Sequence, residues 1–268
     1  MIATSPLDAT DIQRRLTAGT VGTRLHLYAE VASTNATLRE LARAGAPAGT
    51  VVLAEAQTAG RGRHGASWFS PAGVNLHASV LFRPRVAPPE IGVFTFVASL
   101  ALSDAVREQG LAPAIKWPND VLVAARKVGG ALVESAVRDE TVEWVVVGIG
   151  ANLNVEPRAL REALGDAGRY ATSLAAERGR EIDRNAFAAS YLNHLDRWAA
   201  AWADRGPEAV LAAWRDLDIL TGRRVEIRGT DGVFEGRVLG VDATGALLVR
   251  DDRGTRRTVT AGQVRILD

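Results

Sequence analysis

After Leu220 the helical periodicity of the chain gives way to short alternating runs cut by turns. Turn signals stand at Gly229, Asp231-Gly232, Thr244-Gly245 and Arg253-Gly254. Between them, Arg224-Val225-Glu226-Ile227 and Ala246-Leu247-Leu248-Val249 alternate with the period of a strand. Residues 221–268 hold four or five such strands, and so short a segment buries its apolar faces by curling into a small barrel. Its charges nearly cancel, with nine Arg against eight Asp and Glu in 218–268. A nucleic-acid role for it is therefore not expected.

Upstream the pattern is that of a mixed α/β domain, expected to run from residue 1 to 220. Residues 7–18 read as a short leading helix and 24–28 as a strand. Ser33, Thr34 and Asn35 offer N-cap side chains to a helix over 36–43, which Gly45 and Pro47 stop. Strands are expected at 50–54 and 75–82, a long apolar helix at 90–109, and strands near 113–117, 119–124, 129–137 and 142–149. Phe187, Tyr191, Leu195, Trp198 and Trp202 fall on one face of a helix over 185–204, which is core packing. A last helix follows at 207–216.

Cysteine is absent, which removes disulfides, thiolate nucleophiles and Cys-ligated metals together. The four histidines, His26, His64, His77 and His194, show no metal-ligand spacing. No run approaches the ~18 apolar residues of a membrane span, and Met1–Pro6 lacks the basic and apolar regions of a signal peptide. Apolar residues at 47% and charged residues at 24% are ordinary for a soluble domain. A net charge of +1 argues against a strongly basic nucleic-acid surface. The expectation is a cytoplasmic protein, without DNA or membrane partners, whose chemistry runs on Arg, Lys, Asn, Gln and backbone groups.

Against thirty arginines there are two lysines, Lys116 and Lys127, in one short stretch. A surface charge tolerates either residue, so these positions call for a compact ammonium instead of a planar fork.

Three glycine-rich or polar constellations surround that stretch. Gly60-Arg61-Gly62-Arg63-His64-Gly65 matches G-x-G-x-x-G after a strand, the spacing of a dinucleotide loop. It does not open a helix, since Ser67-Trp68-Phe69-Ser70-Pro71 follows. No acid ends a strand about 20 residues on. The arginines suggest the alternative: glycines admit a ligand close to the backbone, and Arg61 and Arg63 address phosphate and carboxylate oxygens together. Such a loop is expected to be mobile until an anion orders it. Lys116-Trp117-Pro118-Asn119-Asp120 reads either as a structural turn with a buried Trp or as a nucleotide contact. Lys127-Val128-Gly129-Gly130 reads as a phosphate approach. Gly148-Ile149-Gly150-Ala151-Asn152 is a strand-end turn whose Asn amide can meet a purine edge.

Taken in order, Ser33-Thr34-Asn35, Gln57 through Gly65, Trp68-Phe69-Ser70-Pro71, Lys116 through Asp120, Lys127 through Gly130 and Gly148 through Asn152 resemble one family, the bacterial biotin protein ligases (biotin–[acetyl-CoA-carboxylase] ligases). The resemblance covers nearly the whole chain from about residue 23. It implies a catalytic domain akin to class II aminoacyl-tRNA synthetases, followed by an SH3-like β-barrel at 221–268. The implied reaction activates biotin with ATP as biotinyl-5′-AMP, Mg²⁺ assisting, and transfers biotin to a lysine of a biotin carboxyl carrier protein, the biotinyl domain of acyl-CoA carboxylases.

The implied catalytic residues are Arg61, Arg63 and Lys127. Biotin would be held by Ser33, Thr34, Asn35, Gln57, Gly60, Arg61, Gly62, Arg63, Lys127 and Gly129. ATP would be held by Arg63, Trp68, Lys116, Asn119, Asp120, Lys127 and Asn152, with no protein-ligated metal. The barrel is expected beside the active site, supplying an Arg to ATP or helping to dock the carrier. Some relatives begin with a winged helix-turn-helix; residues 1–22 offer no room for one, so operator binding is not expected. A lipoate or octanoate ligase of the same fold would not need the Ser-Thr and Gln contacts. A non-catalytic biotin or nucleotide sensor would lack the cations.

Overall fold

A computed structural model describes residues 5–17, 19–229 and 232–268. Its larger sheet comprises β1 (Arg24–Val31), β2 (Thr50–Gln57), β3 (Leu76–Phe82), β4 (Pro113–Lys116), β5 (Asp120–Val123), β6 (Arg126–Arg138) and β7 (Thr141–Ala151). They lie in the order β1-β2-β3-β7-β6-β5-β4. Only β1 and β2 run parallel; the other neighbours are antiparallel. The helices are α1 (Ala9–Arg15), α2 (Thr34–Arg43), α3 (Val93–Glu108), α4 (Pro157–Leu164), α5 (Leu174–Arg178), α6 (Arg184–Arg205) and α7 (Pro207–Arg215).

The two faces of the large sheet differ because side chains alternate along a strand. On β7, Val145, Val147 and Ile149 join the main core with α3, while Val146 packs with Leu38 and Ala42 of α2. Gly148 and Gly150 share the face of Val146. The sequence Gly-Ile-Gly therefore carries two instructions: an apolar side chain toward α3, and no side chain at all toward the cavity described below. Helix α3 is buried along most of its length, from Val93 to Val106. Each fully buried Leu or Phe there contributes about 1.5–3 kcal/mol. Together with the preceding 3₁₀ turn, Pro88–Glu108 is long and apolar enough to cross a membrane by length and composition, against the expectation from the sequence. Its burial between sheet and helices explains the apolarity as that of a core helix.

The expected elements recur with shifted ends. The expected leading helix, 7–18, is confined to α1, and residue 18 lies outside the described residues. Helix α2 begins at Thr34, not 36, and Ser33 makes no side-chain cap bond. Thr34 and Asn35 turn inward instead. Strand β6 begins at Arg126, which puts Lys127 on a strand. Helices α4 and α5 escaped the sequence reading. Each is short and buries a single residue, Leu160 in one and Leu174 in the other, so periodicity had little to register.

Beyond Leu220 five strands form: β8 (Arg224–Gly229), β9 (Gly232–Val241), β10 (Leu247–Asp251), β11 (Arg256–Val259) and β12 (Gly262–Ile266). They make one antiparallel sheet in the order β11-β10-β9-β8-β12. Its inner residues Val225, Ile227, Val238 and Val249 continue the core of the first lobe. Trp117 fastens the two lobes, its Nε1 donating to the Gly245 carbonyl at 2.9 Å. Gly245 has φ +84° and lies against Phe96; an added Cβ would sit 2.0 Å from that ring.

Candidate active site

A cavity of about 370 Å³ opens between the sheet, the arginine loop and the second lobe. The start of α2 and the glycines of β7 form one end. Arg61 to Trp68 cover it, and Lys116 to Asp120 with Lys127 form the opposite wall. The last strand, β12, closes the side with Gly262, Gln263 and Val264.

The α2 end is a chain of hydrogen bonds. The backbone N–H and hydroxyl of Thr34 both donate to Gln57 Oε1, at 2.9 and 3.2 Å. Gln57 Nε2 donates to Ser70 Oγ at 3.0 Å, and Ser70 donates to the Trp68 carbonyl at 3.1 Å. The Ser79 hydroxyl lies 2.6 Å from Asn35 Oδ1 and 2.8 Å from Thr34 Oγ1. Asn35 Nδ2 donates to Glu134 Oε2 at 2.8 Å and to the Leu132 carbonyl at 3.2 Å. Glu134 in turn holds Arg39 at 2.7 Å. Gly148 makes room for this: a Cβ there would fall 2.0 Å from Asn35 Oδ1. Gly60 backs the same chain, with Gln57 Nε2 3.2 Å from its missing Cβ.

The other end is an excess of positive charge. Lys127 Nζ pairs with Asp120 Oδ1 at 2.5 Å and stands 5.3 Å over the Trp68 ring. Burial holds the Lys116 ammonium below the usual lysine value, with Lys127 adding to the effect and Asp120 opposing it. Burial likewise lowers Arg63, again against the pull of Asp120. Arg63 lies 6.0 Å over the Trp117 ring. Three half-buried cations thus face one carboxylate, with Arg61 beside them. Such a place favours a multiply charged anion. Asn119 is fixed by a 2.6 Å bond from Nδ2 to the Ala131 carbonyl, and the Trp117–Pro118 peptide is cis.

Trp68 lies between the two ends, against the backbone of Gly150. A Cβ at Gly150 would come within 2.3 Å of the indole. The indole Nε1 is buried without a partner. The arginine loop folds back on itself as a hairpin, with Arg61 bridging Ser67. Gly62 N–H donates to the Ala66 carbonyl at 2.7 Å and Trp68 N–H to the Gly60 carbonyl at 2.9 Å. Its tip is the 3₁₀ turn Arg63–Gly65, not the opening of an α-helix. His64 is exposed there at φ +54°.

Of the residues expected from the sequence, Ser33, Thr34, Asn35, Gln57, Arg61, Gly62, Arg63, Trp68, Lys116, Asn119, Asp120 and Lys127 line this one cavity. Gly60 lies just behind it. Gly129 is placed against the Gly150 carbonyl and Leu102, away from the cavity wall. Asn152 is also elsewhere: it is buried, its Nδ2 donates to the Thr172 carbonyl, and its Oδ1 faces Asn75. Sequence reasoning gave no role to Ser79 and Glu134, which act through long-range contacts, nor to Ser70, which lies in the Trp68–Pro71 element and links Gln57 to the Trp68 carbonyl. It also missed His77, one strand turn from Ser79 and opposite Gly150. His77 is fully buried with both ring nitrogens unpartnered. Burial, reinforced by Arg184, pushes its pKa down to about 4. The second lobe's wall holds a glutamine, Gln263, where an arginine was among the expectations. No group of His, Cys, Asp and Glu suited to a metal ion occurs among the described residues.

Residues 28–152 match the biotin/lipoate A/B protein ligase family, and 220–266 match the biotin protein ligase C terminal domain. The chain is 36% identical over 248 residues to a biotin–[acetyl-CoA-carboxylase] ligase of Paracoccus denitrificans, covering 89% of this chain and 98% of that protein. It is 31% identical over 256 residues to a bifunctional ligase/repressor BirA of Bacillus subtilis, covering 95% of this chain and 78% of that one. Among solved structures it resembles a biotin protein ligase from Aquifex aeolicus in complex with biotin and ATP. That likeness has a TM-score of 0.75 and 26% identity, and it covers 91% of this chain and 99% of the other.

Proposed function

The chain belongs to the biotin protein ligase family, and from that membership we infer that it activates biotin with ATP as biotinyl-5′-AMP and passes the biotinyl group to a lysine of a biotin carboxyl carrier protein. The observation that carries the reading is the union, in one cavity, of a hydrogen-bonding pocket and a cation cluster. The pocket suits the neutral ureido ring of biotin. The cluster suits a carboxylate and a triphosphate brought together.

In the first step a biotin carboxylate oxygen bonds to the α-phosphorus and the bond to pyrophosphate breaks. Two anions must approach, so the barrier is dominated by repulsion that fixed cations offset. We assign that task to Arg61, Arg63 and Lys127. Thr34, Gln57 and Ser33 meet the ureido head, with Asn35 shaping the pocket behind them and Gly60 and Gly62 letting the loop backbone approach. Lys116, Asn119 and Asp120 serve the nucleotide, and Trp68 shields the anhydride from water. Asn152 and Gly129 are assigned to the fold around the site. In the second step the carrier lysine amine attacks the acyl carbon and AMP leaves.

Asp120 Oδ2 and the Asn119 amide oxygen are hard donors, a set that suits Mg²⁺ carried in with the phosphates better than a resident ion. When bound, Mg²⁺ would neutralise the leaving pyrophosphate. We place the catalytic unit at 1–220 and the second at 221–268, the protein in the cytoplasm, and its partner among proteins, not nucleic acids or membranes. Pyrophosphate release from ATP, with biotin, lipoate and octanoate offered separately, tests the assignment. Release with biotin alone is expected; release with lipoate or octanoate but not biotin would overturn it.

A further inference from the structure

Among the described residues six buried side-chain polar atoms lack a hydrogen-bond partner, and three of the six belong to two side chains, Trp68 and His77. The other three are scattered over Arg39, Tyr191 and Trp214. A buried polar group without a partner costs free energy, so folded proteins keep few of them.

The strand register sets Trp68 and His77 side by side. His77 on β3 stands directly opposite Gly150 on β7, and residues in that relation project to the same face of the sheet. A Cβ at Gly150 would lie 2.3 Å from Trp68 Nε1 and 2.3 Å from Cε2. The indole therefore fills the place of the missing Gly150 side chain, with its Nε1 edge toward the sheet. Opposite Cβ positions are about 4.5–5.5 Å apart, a gap that an imidazole and the edge of an indole span.

The other neighbours of His77 are already engaged or have nothing to offer. Its partner on the far side, Ala54 of β2, has no polar side chain. Two residues along, the Ser79 hydroxyl is taken by Asn35 and Thr34. Two residues before, Asn75 meets the Leu153 N–H and Asn152. The chemistry of the remaining pair is complementary. An indole N–H only donates, and a neutral imidazole offers one lone pair. Burial, reinforced by Arg184, lowers the His77 pKa to about 4 and so keeps that lone pair available at ordinary pH.

We propose that His77 is the positioning residue for Trp68: when ligands draw the arginine loop down, the indole N–H donates to a ring nitrogen of His77 and the ring is fixed across the reacting atoms. This rests on the biotin-ligase reading, in which Trp68 shields the acyl-adenylate. Lys127 Nζ stands 5.3 Å over the same ring, so an indole anchored at its Nε1 edge keeps its face toward the cation end. Without the anchor the indole tips and water reaches the acyl carbon. A water oxygen then bonds to that carbon, the bond to the phosphate oxygen breaks, and biotin and AMP leave with no carrier involved.

The test reads Trp68 directly in the full chain. The indole ¹⁵N–¹H resonances of the six tryptophans are recorded with and without biotin plus ATP. The signal lost in Trp68→Phe identifies Trp68. In wild type that signal is expected to move downfield when the ligands bind. In His77→Leu the movement should vanish, and carrier-independent AMP formation should rise about tenfold, the scale of one lost hydrogen bond. His77→Gln sets an amide near the place of Nε2, and His77→Asn near that of Nδ1. One of the two should restore both readouts, which a role in packing would not produce. A Trp68 signal that stays in place in wild type, while pyrophosphate is released, would overturn the proposal. So would wild-type AMP leakage in His77→Leu, or rescue by neither amide in folded protein. Wild type that releases no pyrophosphate with biotin would overturn the ligase reading and this proposal with it.

Discussion

The two ends of the cavity are built on opposite principles. At the α2 end, Thr34, Asn35, Gln57, Ser70 and Ser79 hydrogen-bond one another, and Glu134 anchors them from behind. At the other end, Lys116, Lys127 and Arg63 share one carboxylate, Asp120. The first end is satisfied within the protein and is therefore rigid: it selects by shape and by where its remaining donors and acceptors point. The second is under-neutralised and gains most from an arriving anion. Binding energy spent at the first end positions a carboxylate for chemistry at the second.

The contrast breaks most sharply at Lys127. Its ammonium fits between Asp120 and the Trp68 ring, and a guanidinium keeps the charge but not the compact shape. Lys127→Arg is expected to lower biotin-dependent pyrophosphate release by about 10²–10³-fold, as loss of one preorganised contact does. A rate within a few-fold of wild type would show that the cation end needs charge only.

His77 sharpens the comparison from beneath the neutral end. Burial and the nearby Arg184 hold its pKa in the folded protein at about 4, below the ordinary histidine value of about 6.5. The unfolded chain therefore binds the extra proton first as pH falls. Its contribution is fully present above about 6.5 and is lost as pH drops through that window toward 4. At about 1.4 kcal/mol per pH unit, the loss approaches 3 kcal/mol at the acid end, to order of magnitude. Urea midpoints measured from pH 7 to 4 should fall for wild type and fall less for His77→Phe. Parallel curves for the two would remove His77 as the cause.

Much of this site was legible in the sequence because its parts are local motifs. Gly60–Gly65, Lys116–Asp120 and Lys127 announce themselves by composition, and they do meet in one cavity. The misreadings have a common cause. Thr34 and Asn35 look like capping residues, but a long-range partner, Ser79, claims both side chains. Asn152 looks free at a strand end, but a loop 20 residues away, at Thr172, takes its amide. Glu134 alternates like any exposed residue of a strand, and only the sheet order brings it under α2. Helices α4 and α5 bury too little to leave a periodic trace.

The smallest expected effect concerns that carboxylate. Glu134 accepts from Asn35 at one oxygen and from Arg39 at the other. Asn35 must therefore present its Oδ1 to Ser79, and the orientation of the whole chain follows from that choice. In Glu134→Gln one oxygen becomes an NH₂, which faces a donor on one side or the other. If Asn35 turns its amide to meet it, Ser79 faces an NH₂ and the pattern offered to the head of biotin reverses. The expected result is a biotin KM raised about tenfold, near 1.4 kcal/mol, the scale of one hydrogen bond to a charged group. The ATP KM and kcat should hold, because the cation end is untouched. Arg39→Gln is the control, since it removes the ion pair but leaves the carboxylate to Asn35. An equal rise in that variant would trace the effect to the salt bridge. An unchanged biotin KM in Glu134→Gln would mean that the pocket's polarity is set by α2 alone.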